Sequence, residues 1–106
     1  MTTYKSSGAS SIGATATKLC ELASTSGFGI CAGINVANTA GVNNYVSVYL
    51  DREGVITYIA QGLRLGAGEN AELIKGKVTL LPSDALYAVG SVPNGLDVLV
   101  SYLEGI

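Results

Sequence analysis

Apolar side chains return at every second position along most of this chain, the signature of strands with one face in a core. Ile30, Ala32, Ile34 and Val36 alternate with Cys31, Gly33, Asn35 and Ala37; Val46, Val48 and Leu50 alternate with Tyr45, Ser47 and Tyr49. The same rhythm runs through Val78 and Leu80, and through Leu96, Val98 and Val100. Clusters of turn-forming residues separate these runs: Asn38–Asn44, Asp51-Arg52-Glu53-Gly54, Gly66-Ala67-Gly68, Pro82-Ser83-Asp84 and Pro93-Asn94-Gly95. Strands at this spacing predict an all-β antiparallel β-sandwich, jelly-roll or immunoglobulin-like. Eight short strands are expected: Thr15–Leu22, Gly29–Ala37, Asn44–Leu50, Val55–Gln61, Ala71–Ile74, Lys77–Leu81, Leu86–Val89 and Gly95–Glu104.

The one competing helical stretch, Asn70–Lys75, is confined between Gly68 and Gly76 and is too short for propensity to sustain. It reads as strand or turn. Residues 1–13 hold four serines, two glycines and a single well-separated aliphatic side chain, Ile12, so they are expected as a flexible N-terminal arm outside a sandwich spanning 14–106.

Composition narrows the chemistry. The 106 residues suit one domain, and only 13% are charged, with a net charge of −2. Histidine and tryptophan are absent and there are two cysteines, which removes the imidazole base of serine and cysteine hydrolases and any histidine-containing zinc site. Lys5, Lys18, Arg52, Arg64, Lys75 and Lys77 are scattered, without the clustering that a nucleic-acid backbone demands. No run of about 20 apolar residues offers a membrane span, and the polar start Met1–Gly8 lacks a secretory signal pattern. The expectation is no enzyme, no metal, no cofactor, no nucleic acid and no membrane.

Three local features are weighed against structural explanations. Gly66-Ala67-Gly68-Glu69-Asn70-Ala71 spells a dinucleotide fingerprint, but no crossover helix follows, so it reads as a turn between strands. Asp51 and Glu53 read as a solvated hairpin tip rather than a calcium site, which needs six to eight converging oxygens. Cys20 and Cys31 would stand opposite one another across a hairpin centred between Thr25 and Ser26, a placement that allows a strained disulfide; a reducing cytosol favours free thiols.

The surface is more informative. Tyr45 and Tyr49 point away from the core-facing valines, and Val55, Thr57 and Ile59 are expected to extend that outer face, so it is partly apolar. Such a face marks a contact surface, and Tyr4, Tyr45, Tyr49, Val55 and Ile59 are the interface candidates. An alternative reading is a carbohydrate- or receptor-binding module of a fibre, with Tyr45 beside Asn43 and Asn44 as its local platform.

From Thr15 onward the chain resembles small β-sandwich virion structural proteins of tailed bacteriophages. The resemblance rests on Ile34-Asn35-Val36-Ala37-Asn38-Thr39, Val46-Ser47-Val48-Tyr49-Leu50, Gly76-Lys77-Val78-Thr79-Leu80 with Asp84, and Leu96–Glu104. Its motifs are a loop asparagine after the second strand and an L-x-x-x-D turn at Leu80–Asp84; Cys20 and Cys31 lie outside the pattern. It implies a neck or collar, head-decoration or tail component, located in the virion and assembled in the host cytoplasm. Its partners would be copies of itself in a ring or trimer and other virion proteins such as portal, connector, capsid or tail. The arm at 1–13 would order on assembly and add a strand to, or lace across, a neighbour.

Overall fold

The structure is a computed structural model that describes residues 3–22, 27–74 and 76–105. Among the described residues there are nine strands and no helix: β1 (Thr3–Ile12), β2 (Thr17–Glu21), β3 (Gly29–Asn38), β4 (Asn44–Arg52), β5 (Val55–Leu65), β6 (Asn70–Glu72), β7 (Val78–Leu80), β8 (Ala85–Val89) and β9 (Leu96–Glu104). One sheet has the order β1-β9-β3-β6, with β7 also on β3; the other has the order β2-β8-β4-β5. Every pairing is antiparallel.

The pairings are nested. β4 pairs with β5, β3 with β6 and β7, β2 with β8, and β1 with β9, as though one long hairpin had been rolled up. The roll is closed by β9 against β3 and β8 against β4. This is jelly-roll topology, which decides between the two sandwich forms that the sequence left open.

The alternating apolar positions meet between the sheets. Ile34, Val36, Val46, Val48, Ala88, Leu96 and Val100 are wholly buried, and Leu22, Leu80 and Leu86 nearly so. Each large aliphatic side chain there contributes roughly 1.5–3 kcal/mol by leaving water. Three buried polar side chains fix the connections. Asn38 Nδ2 donates to Val42 O (2.8 Å), Leu65 O (3.1 Å) and Gly66 O (2.9 Å), while its Oδ1 accepts from Ala40 N (3.0 Å). Asn44 Nδ2 donates to Gly95 O (3.1 Å) and its Oδ1 accepts from Ser91 N (2.9 Å). Asp84 Oδ2 accepts from Leu81 N (2.7 Å), closing the turn ahead of β8.

Several expectations are corrected. Residues 3–12 are not an arm lying outside the sandwich: they form the edge strand β1 along β9. Strand pairing uses backbone groups, so a polar sequence can hold an edge while placing few side chains inside. A bulge near Ser11, whose φ is 57°, turns Ile12 into the core at 2% exposure, and Ser11 N donates to Asp97 Oδ1 (3.0 Å). Ser7 Oγ donates to Leu19 O (2.8 Å) and ties β1 across to β2.

The β3 alternation also changes phase. A bulge between Cys31 and Gly33 leaves Cys31 buried and Ala32 exposed, so Ile30 and Ala32 do not share the inward face of Ile34. Finally, β2 and β3 are not a hairpin, because β2 pairs with β8 and β3 with β9 in the opposite sheet. The turn expected at Thr25–Ser26 lies outside the described residues.

Candidate assembly interface

The outer face of the β2-β8-β4-β5 sheet carries a row of aromatic rings. Tyr87 on β8 pairs with Tyr49 on β4, which pairs with Tyr58 on β5. The Tyr49 and Tyr87 rings stack at 5.3 Å with an interplanar angle of 11°, and Tyr49 meets Tyr58 edge to face at 5.7 Å and 66°. Such contacts add about 0.5–1.5 kcal/mol each beyond area burial. Burial between its two neighbours, with the Tyr87 ring close by, pushes the Tyr49 phenol pKa above its ordinary value. Tyr49 is therefore the half-buried centre of the row, while Tyr58 at 49% exposure is its open end.

The β4–β5 hairpin turns on two residues, Glu53 (φ 52°) and Gly54 (φ 86°), both left-handed as a type I′ turn requires. Asp51 Oδ1 accepts from Gly54 N at 3.0 Å. The pairs Arg52–Val55, Asp51–Ile56, Leu50–Thr57 and Tyr49–Tyr58 follow from that turn. Ile56 and Tyr58 consequently share the outer face with Tyr49, whereas Val55 and Thr57 lie on the side of Leu50, lining a shallow groove with Arg52 and Glu53.

This changes the candidates taken from the sequence. Tyr4 is strongly exposed on β1, Tyr45 is half exposed, and Val55 is exposed, but on the inner side of the hairpin. Ile59 is partly buried against the core, because it follows Val55 and Thr57 on the inner side of the hairpin. Ile56 and Tyr58 take its place on the outer face. The signal for them was parity across the hairpin: a two-residue or a four-residue link sets Val55 opposite an inner-side residue, Arg52 or Leu50, so Ile56 and Tyr58 face outward. The Glu53-Gly54 turn decides that Tyr58 is the one beside Tyr49. Asn44 is buried and its amide committed to Gly95 and Ser91, which dismantles the Tyr45–Asn43–Asn44 platform.

β5 is also an edge. It pairs with β4 on one side and, among the described residues, with no strand on the other. From Val55 to Leu63 it carries no charged residue. Proteins commonly blunt such edges with charge, proline or bulges. The bulges of β5 come later, the second at Gly62 (φ 64°), whose N–H donates to Ser47 Oγ (3.0 Å). The span Val55–Tyr58 has none of these protections, and Val55, Ile56 and Tyr58 all stand open to solvent.

Chemistry finds little foothold. Cys20 and Cys31 are buried free thiols on different sheets. Burial, with Cys31 nearby, pushes the Cys20 pKa up to about 11, the opposite of an activated nucleophile. In the Gly66–Ala71 turn the Glu69 carboxylate accepts from Gly66 N, filling the place a phosphate would need, and Asn38 holds the Gly66 carbonyl. Among the described residues, no three His, Cys, Asp or Glu side chains gather as a metal set, and no helix is long and apolar enough to cross a membrane.

No family profile matches the chain and no curated protein sequence does. Solved structures do share its fold. A subunit described under "Bacillus endospore appendages form a novel family of disulfide-linked pili" superposes with a TM-score of 0.61 at 12% identity, over 98% of this chain and 85% of that one. A chain of the T13 particle of IBDV superposes with a TM-score of 0.60 at 14% identity, over 97% of this chain but 30% of the viral one. At these identities the likeness is one of architecture: the chain is a jelly-roll β-sandwich similar in fold to most of that pilus chain and to about a third of that viral-particle chain.

Proposed function

We propose that this chain is a non-enzymatic structural subunit of a tailed-phage virion, a neck/collar or head-surface protein that acts through symmetric contacts with copies of itself and with capsid or connector proteins. The observation that carries the reading is the uncharged Val55–Leu63 stretch of the β5 edge beside a tyrosine row whose open end is Tyr58. A surface of that kind costs solubility unless a partner covers it. Two further points support it: the buried thiols are not activated and the Glu69, Glu72 and Asp84 carboxylates are committed to partners within the fold, and the fold-sharing neighbours are described as parts of pili and of a viral particle. The phage assignment rests on the sequence resemblance.

Immunogold labelling of purified particles with an antibody to the chain tests the location, and sedimentation of the purified full chain tests self-association. Labelling at the neck or head surface, with an oligomer in solution, is expected. A chain that never co-purifies with particles overturns the virion assignment, and a chain that stays monomeric at all concentrations overturns self-association.

A further inference from the structure

The self-association just proposed leaves open which surface is used. We propose that two copies pair through β5, antiparallel and about a two-fold axis at Thr57, joining their β2-β8-β4-β5 sheets into one eight-stranded sheet. This deepens the reading above and rests on it.

The register follows from the faces. A two-fold relating antiparallel neighbours within one sheet runs perpendicular to it, so outer-face residues must meet outer-face residues. Ile56 and Tyr58 are outer, and Val55 and Thr57 are inner. Only registers centred on a residue keep those faces matched. With the axis at Thr57, Ile56 of each copy stands opposite Tyr58 of the other, and the two Thr57 side chains face one another. Aromatic with β-branched and threonine with threonine are favourable cross-strand pairs.

With the axis instead at Ile56, Tyr58 would face Gly54 and lose its partner. The Thr57 register also brings no like charges together, since Glu53 falls opposite Gln61. Finally, it continues the aromatic row: Tyr87, Tyr49 and Tyr58 of one copy would run on to Ile56 of the next. A second copy is the favoured occupant because the strand complements itself at each of these positions. A two-fold contact closes on itself, so any larger assembly needs a second contact elsewhere.

The test is a charge pair at the axis. Thr57 is exposed, so Thr57→Lys and Thr57→Glu are expected to fold, with unchanged far-UV circular dichroism and melting. Equilibrium sedimentation of the wild-type chain should show twice the chain mass. Each variant alone places like charges face to face and should fall to the single-chain mass, with dimer affinity reduced at least tenfold. Mixing the two variants in equal amounts should restore the double mass. An assembly that persists in Thr57→Lys, or a mixture that does not re-associate, overturns pairing at Thr57 while leaving self-association standing. A wild-type chain of single mass at every concentration overturns both.

Discussion

Arg52 grips Asp84 with two nitrogens: Nε lies 3.0 Å from Oδ1 and Nη2 lies 2.8 Å from Oδ2. The carboxylate side chain is 1% exposed and the guanidinium 43%. The pair binds the end of β4 to the turn preceding β8, next to the tip of the exposed hairpin. Burial pushes the Asp84 pKa up, but the Arg52 hydrogen bonds, the Leu81 N–H and the Arg52 charge together outweigh it and hold the carboxyl below its ordinary 3.8. Its stabilisation is thus fully present above pH 3.8 and is lost as the pH falls through the depressed value.

The asymmetry in exposure sets the first prediction. Arg52→Ala leaves a buried carboxylate with one N–H donor and should cost about 3 kcal/mol. Asp84→Asn leaves an arginine that can reach water and should cost less. Urea unfolding at pH 7 measures both. Arg52→Ala should also shift acid unfolding to higher pH, because the counter-charge that depresses the Asp84 pKa is gone.

Asn38 gives the second. Its amide nitrogen faces three carbonyl oxygens, of Val42, Leu65 and Gly66, in a buried site. Asn38→Ala orphans those carbonyls and should cost about 1–3 kcal/mol. Asn38→Asp is nearly isosteric yet points an acceptor at three acceptors, so it should be the more destabilising of the two. Equal melting temperatures for the two variants would show that the amide hydrogen bonds do not hold this loop.

Most strands could be read from the sequence because burial on one face writes itself as alternation. Val46, Val48 and Leu50 all lie inward, and Leu96, Val98 and Val100 do too. What alternation cannot record is an inserted residue. The bulge at Ala32 reversed the expected facing of Ile30 and Ala32; Ile59 faces the core instead because the hairpin register sets Val55, Thr57 and Ile59 on the side of Leu50. β1 was missed for a different reason: an edge strand held by backbone pairing needs little apolar sequence, so Ser6-Ser7-Gly8 reads as unstructured. The sheet assignment of β2 and β3 was beyond local reading, since nesting is decided by partners 58 to 75 residues away along the chain. The candidate surface was half visible: its tyrosines stood out, but their alignment depended on the Glu53-Gly54 turn.

The thiols carry a third prediction. With its pKa pushed up to about 11 by burial, Cys20 holds about one thiolate per thousand folded molecules at pH 8. Burial also raises the Cys31 pKa and leaves the side chain with no exposed surface. In native protein at pH 8 neither should react with a thiol-specific disulfide reagent over an hour, and both should react promptly in 8 M urea. Prompt native labelling of either would place it outside the core.

A pair of substitutions on β1 decides whether that strand belongs to the folded unit. Ile12 is the side chain by which the strand enters the core, at 2% exposure, while Tyr4, eight residues earlier, is 83% exposed. Ile12→Ala should cost about 2–4 kcal/mol of unfolding free energy, within the range for truncating a buried isoleucine. Tyr4→Ser should change stability by less than about 0.5 kcal/mol, as exposed substitutions do. If Ile12→Ala were equally silent, residues 3–12 would be contributing nothing to the isolated subunit, and their place beside β9 would have to be earned in an assembly instead. A large loss at Ile12 with silence at Tyr4 makes β1 the last wrap of the roll, leaving the Tyr4 end of the strand free to contact a neighbour without disturbing the core.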